Sequence, residues 1–256
     1  MNQHYINLTT ALLFLLLSVT TSFAVQKVVI LGDNSYPPYT YVEKGEFKGL
    51  YVDMLNEVFS KMPDYDVTIE PASWRTGIAK VKSGEAIAIY PPYKTSKREP
   101  WMNFDAPLLQ EQTVVWGQKE KLAGKNNWPE DFFGTTFVLN SGYSTVGMGG
   151  QKFDDAIKAG KIKLKNGKTT KVCFKFLMMG KGDYYLADAL LDTSLYQGGK
   201  DFASGPVAVE QFSYLGFTKQ KEKYPYMDNF IFEFNKQLNL LKASGKIETF
   251  LQKYKK

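Results

Sequence analysis

Short apolar runs alternate with amphipathic stretches along this chain. Val28-Val29-Ile30-Leu31 has the length and β-branched content of a buried strand, and it ends in the loop Gly32-Asp33-Asn34-Ser35-Tyr36-Pro37-Pro38-Tyr39. Thr40 to Val42 and Glu46 to Lys48 flank Glu43-Lys44-Gly45, which predicts a short hairpin with Gly45 at the positive-φ position. Tyr51, Met54, Leu55, Val58, Phe59 and Met62 recur at helical spacing, and Pro63 stops that helix. Val67 to Glu70 reads as a second strand. Trp74, Ile78 and Val81 line a second helix ending at Ser83-Gly84, and Ala86 to Ile89 reads as a third strand. Strand, helix, strand, helix, strand predicts an α/β arrangement with a parallel sheet.

The second half continues the pattern less regularly. Gln112 to Gly117 reads as a strand, Gln118 to Asn127 as a polar connection, and Thr135 to Leu139 as another strand. Gly142-Tyr143-Ser144-Thr145 turns from it into a helix, although Gly147, Gly149 and Gly150 look too flexible for a strong one. Their spacing matches no phosphate-loop fingerprint. Ile162 to Val172 reads as a basic hairpin about Asn166-Gly167, followed by a short helix ending at Gly180. Phe212 to Phe217 reads as a strand returning to the first part. Phe230, Phe234, Leu238 and Leu241 line a helix closed by Ser244-Gly245, and Ile247, Phe250, Leu251 and Tyr254 form a last short one.

Composition changes the picture mainly through what is missing. Residues 1–24 hold no Lys, Arg, Asp or Glu, the run Ala11 to Val19 is almost wholly apolar, and Ser22-Phe23-Ala24 has the small-x-small form of a cleavage site. They are read as a signal peptide, too short in its apolar run to span a bilayer, with an exported mature chain starting near Val25. The single histidine, His4, falls in that leader. The mature chain therefore has no Ser-His-Asp or Cys-His nucleophile system and no histidine metal ligand. One cysteine, Cys173, permits no intramolecular disulfide, and between Val172 and Phe174 it reads as a buried hydrophobe. The formal net charge of +6 is spread along the chain apart from Lys161 to Lys171, so nucleic acid is not expected as a partner.

Candidate chemistry gathers in Tyr90 to Leu108, a loop expected to leave the carboxyl end of a strand, where open α/β sheets keep their ligand sites. Two prolines force an extended path, and Arg98 presents a planar fork that suits a carboxylate. Arg98 is the candidate anchor; the alternative is a solvated arginine beside Lys94 and Lys97.

Several motifs in order resemble the periplasmic solute-binding proteins for polar amino acids. They are Asp33-x-x-Tyr36-x-Pro38-Tyr39, Gly49-x-x-x-Asp53, Trp74-x-x-x-Ile78, Thr95-x-x-Arg98 and Asn103-Phe104-Asp105-Ala106-Pro107-Leu108. The resemblance covers nearly the whole mature chain. It implies a type II periplasmic-binding fold of two α/β lobes with two crossover strands as hinge. The expected division is a signal peptide 1–24, a first lobe from 25–110 and 209–256, and a second lobe 111–208. By the same resemblance, Arg98 and the N–H of Ser144 hold a ligand carboxylate, while Asp188 and the carbonyl of Pro91 hold its ammonium. Asp188 equally suits a helix N-cap before Ala189-Leu190-Leu191, and the two roles are compatible. Tyr36 and Trp74 would be stacking walls, and Asp33 completes the expected site.

The chain departs from the resemblance in two places. The basic hairpin at 162–172 is one. The other is Pro91-Pro92-Tyr93, where small residues are usual; Tyr90, Tyr93 and Tyr143 would crowd the cleft, either lining a solute or filling its place. The implied function is capture of an amino acid or related small polar solute, by a monomer without metal or cofactor, for an ABC permease. A sensor subunit serving a membrane receptor on the same fold is the alternative. A dehydratase-like enzyme on this fold is the further alternative, with a carboxylate such as Asp33 as acid or base.

Overall fold

A computed structural model describes residues 25–254, so the leader expected over residues 1–24 lies outside the described residues. In chain order the elements are β1 (Gln26–Asp33), β2 (Ser35–Tyr36), β3 (Thr40–Glu43), β4 (Glu46–Lys48), α1 (Leu50–Phe59), β5 (Tyr65–Ala72), α2 (Trp74–Lys82), β6 (Ala88–Tyr90) and β7 (Met102–Gln118). Then follow α3 (Lys119–Leu122), β8 (Thr136–Asn140), α4 (Thr145–Lys158), β9 (Lys163–Gly167), α5 (Thr170–Met178), β10 (Tyr184–Asp188), β11 (Phe202–Thr218), α6 (Met227–Ala243) and α7 (Lys246–Tyr254).

The main sheet runs β5-β1-β6-β11-β7-β10-β8-β9. β5, β1 and β6 are parallel, as are β10, β8 and β9. Between these two parallel sets lie β7 and β11, antiparallel to each other and 17 residues long apiece. The carboxyl end of β11 pairs with β6 and that of β7 with β10, so two strands join the halves.

Each half is covered on both faces, which explains the near-continuous apolar runs in its strands. In the first half Val28 and Ile30 pack with α1 and α6 around Phe230 and Phe234, while Leu31 and Ile89 meet Trp74 and Val81 of α2 on the opposite face. In the second half the pleat sorts β10: Tyr184 and Leu186 join Phe153 of α4, and Tyr185 and Ala187 join Cys173, Phe174 and Leu177 of α5. Cys173 is fully buried.

Several sequence expectations are corrected. The basic hairpin at 162–172 does not form. Lys163–Gly167 is one edge strand parallel to β8, and Thr169 then caps α5 by accepting the Val172 amide. Gly167 serves close packing rather than a turn, since a Cβ there would lie 2.6 Å from Cys173 Sγ. The glycine-rich stretch after Ser144 is helical. Its ladder breaks only at Gly150 (φ 81°, ψ 173°), where Trp128 Nε1 donates to the carbonyl of Gly149 at 2.9 Å. β6 begins at Ala88 and not Ala86, because the amides of Glu85 and Ala86 both close the end of α2 on the carbonyl of Lys80. β7 begins ten residues before Gln112, at Met102, and takes in Pro107 opposite Tyr214.

The face assignment of α6 is testable by urea denaturation. Phe234→Ala removes a fully buried ring and should cost about 3–5 kcal/mol. Phe232→Ala removes a 71% exposed one and should change stability by less than about 0.5 kcal/mol.

Candidate binding cleft

The carboxyl ends of β1, β6, β8 and β10 point at one cleft between the halves. Asp33, Tyr36, Trp74, Pro91, Tyr93, Arg98, Tyr143, Ser144 and Met148 enclose a cavity of about 20 Å³, room for a single water. Eight of these nine are sequence candidates. Tyr90 is not among them: its ring packs against Tyr51 and over Gly32 in the first core, with its hydroxyl unpaired. Asp188 stands off the cavity wall, buried at the end of β10. Met148 was missed, although it lies one helical turn beyond Ser144.

Arg98 is 7% exposed, so the solvated reading does not hold. Its Nη1 donates to the carbonyl of Tyr93 at 3.0 Å, and its guanidinium sits 5.3 Å from the centre of the Trp74 ring. No carboxylate pairs with it among the described residues. Burial pushes its pKa down to about 10, which leaves it charged at neutral pH. Ser144, also on the cavity wall, accepts the Gly147 amide at 3.0 Å through its hydroxyl and caps α4.

Asp33 accepts from the Tyr143 hydroxyl at 2.5 Å and from the Ser35 amide at 3.0 Å. Burial pushes its pKa up to about 7 against the pull of those two bonds. Asp188 accepts the Leu190 amide at 2.7 Å through Oδ1, while its buried Oδ2 has no partner. Burial and then the Glu111 carboxyl push its pKa well above the usual carboxylate range, against the pull of the Leu190 amide and the Tyr39 hydroxyl. The halves touch across the cleft: Tyr143 reaches Asp33, Trp74 Nε1 donates to the carbonyl of Gly142 at 3.2 Å, and Thr170 bonds Ser35 twice.

Glu111 is the residue that sequence reasoning missed. It is 2% exposed on β7 and accepts hydrogen bonds from Tyr36 (2.6 Å), Tyr93 (2.7 Å) and Tyr51. Its signal was the pleat, since Glu111, Thr113 and Val115 alternate along one buried face of the strand. Among the described residues no group of three or more acidic, Cys or His side chains could hold a metal ion.

Among solved structures, the chain is similar to the protein of a study of glutathione import via GshT and the cystine ABC importer TcyBC of Streptococcus mutans. It is 19% identical, with a TM-score of 0.74 over 90% of this chain and 95% of that one. A mutant of an arginine-binding protein from T. maritima gives 17%, 0.72, 89% and 94% respectively. An ancestral amino-acid-binding protein described as a precursor of cyclohexadienyl dehydratase gives 17%, 0.69, 90% and 95%. These likenesses establish a two-lobed type II periplasmic-binding fold with β7 and β11 as the crossover strands. No curated protein matches the sequence. The family model for bacterial extracellular solute-binding proteins, family 3, matches residues 28–256, and the chain belongs to that family.

Proposed function

We propose that the protein is a periplasmic receptor that captures an amino acid or related small polar solute between its lobes and delivers it to an ABC importer. The observation that carries this reading is Arg98, a buried guanidinium on a cavity wall that makes no ion pair among the described residues. Keeping such a charge dry costs several kcal/mol unless a counter-ion arrives. A ligand carboxylate between Arg98 and the start of α4 supplies one. Its ammonium then finds the vacant oxygen of Asp188 and the carbonyl of Pro91.

Arg98 stands on the first lobe and Ser144 and Asp188 on the second, so a solute held by all three favours closure. The lobes divide within β7 and β11, near residues 110 and 208. A cavity of about 20 Å³ does not hold an amino acid. Entry therefore requires the Tyr143–Asp33 bond to open and the tyrosines lining the cavity to turn away. One observation favours a second reading, a lyase on the same fold: Asp33, at the cavity wall with a pKa near 7, is placed to trade a proton. Turnover of a bound solute by pure protein separates the two readings.

Native mass spectrometry and calorimetric titration with an amino-acid panel test the first reading. Arg98→Ala should weaken any α-carboxylate ligand by about 2–5 kcal/mol; unchanged affinity sinks the assignment. The pH dependence of unfolding tests Asp33. Its folded pKa lies above the unfolded value, so the folded state holds an extra proton between the two. The contribution of Asp33 to stability should therefore fall as pH rises from about 4 toward 7, by up to about 4 kcal/mol. Asp33→Asn should make the fall shallower by that contribution, leaving the part carried by Glu111 and Asp188.

A further inference from the structure

Three oxygens below the cleft form a closed triangle. Tyr36 Oη lies 2.6 Å from Glu111 Oε2, Tyr93 Oη lies 2.7 Å from the same oxygen, and the two hydroxyls are 2.8 Å apart. Each edge has hydrogen-bond length, and each hydrogen bond needs one proton. Two tyrosines supply two. Oε1 cannot lend a third, because it already accepts from Tyr51, whose hydroxyl also meets Ser213. With Glu111 ionised, one edge is left as two oxygens in contact with no hydrogen between them. With Glu111 protonated at Oε2, the ring closes with one proton per edge.

We propose that Glu111 is carried as the neutral carboxylic acid at neutral pH, and that this proton fastens Tyr36 and Tyr93, two walls of the cleft, to the crossover strand. The role is one of positioning, and its bearing on solute capture rests on the receptor reading above. The surroundings agree. Glu111 is buried, and the groups bearing on it most are the hydroxyls of Tyr36, Tyr51, Tyr93 and Ser213, with no cation among them. Tyr39 and Asp188 face it from the β2–β3 turn and the end of β10. Arg98, on the loop that carries Tyr93, reaches that residue's carbonyl and not its hydroxyl. Burial raises the Glu111 pKa against the pull of the four hydroxyls, and Glu111 in turn raises that of Asp188. Glu111 and Asp188 cannot both ionise cheaply in one dry site. A proton held by the ring on Glu111 removes that residue's share of the upward push on Asp188 and leaves burial as its main cause.

Infrared spectroscopy on the full protein tests the proposal without any solute. Wild type at neutral pH should give a protonated-carboxyl C=O band that moves on 13C labelling of glutamate and is absent in Glu111→Gln. Any band from Asp33 stays through both changes. Tyr93→Phe, which removes one edge of the ring, should shift the glutamate band and keeps the test available if Glu111→Gln does not fold. A folded wild type without that band at neutral pH overturns the proposal. Arginine and glutamine serve as probe solutes, in the Asp33→Asn background to silence that group's own titration. Affinity should fall over the pH range in which the band disappears; affinity that ignores the band's loss overturns the wall-fastening role. If neither probe binds at any pH, the receptor reading fails while the band still decides the protonation of Glu111.

Discussion

A charge kept away from water, with no ion-pair partner among the described residues, governs the middle of this molecule. The Arg98 guanidinium is buried, stacked over Trp74 and tied to one backbone carbonyl. Neither contact neutralises it. Across the cleft Asp188 has a buried oxygen with no partner. Had the two side chains met, the cleft would hold a finished ion pair. They are held apart instead, because Arg98 stands on a loop after β6 and Asp188 ends β10, in different halves of the sheet. The separation of the halves is what keeps the two groups apart, and burial is what makes a charge on either of them costly to leave unmet.

The two halves are not independent of the cleft they enclose. β7 and β11 run side by side through both, and the cleft residues are tied to their middle. Glu111 and Ser213 sit there, and Tyr93 forms an isolated bridge with Ser213 while the Tyr214 amide bonds the carbonyl of Pro92. Through Tyr51 the same cluster reaches α1 and the first core. A change in the tilt of the crossover strands therefore moves cleft walls directly, with no long chain of contacts between cause and effect. The register shifts of the β7–β11 ladder, four in all, leave those strands places to bend.

Much of this was legible in the sequence, and the reasons differ from residue to residue. Val28 to Leu31 and the face of α6 could be read because a sheet covered on both sides and an amphipathic helix leave unambiguous periods. Arg98 stood out because it is a bidentate donor in a loop at a strand end. Tyr90 looked like a cleft residue because it precedes Pro91, but β6 extends one residue further and the pleat turns its ring to the core over Gly32. Asn166-Gly167 carries a hairpin signal that tertiary packing overrides, since Gly167 is needed for the close approach of Cys173. Glu111 was hidden for a different reason. A charged residue flanked by Gln110 and Gln112 reads as solvent-facing, and only the partners brought from α1, β2 and the loop after β6 make its burial tolerable.

Tyr93 explains how the cleft closes so tightly. A small residue at this position would leave open space between Arg98 and Ser144 and would have nothing to say to β7. A tyrosine fills that space and carries its hydroxyl through to Glu111. The same side chain therefore limits the cavity and anchors the loop that bears Arg98, whose Nη1 is bonded to the Tyr93 carbonyl. Making room for a solute by turning Tyr93 must disturb its bond to Glu111, while the backbone contact that orients Arg98 can survive. Room and anchor are thus separable within one residue: the ring can turn away while its carbonyl goes on holding the guanidinium of Arg98.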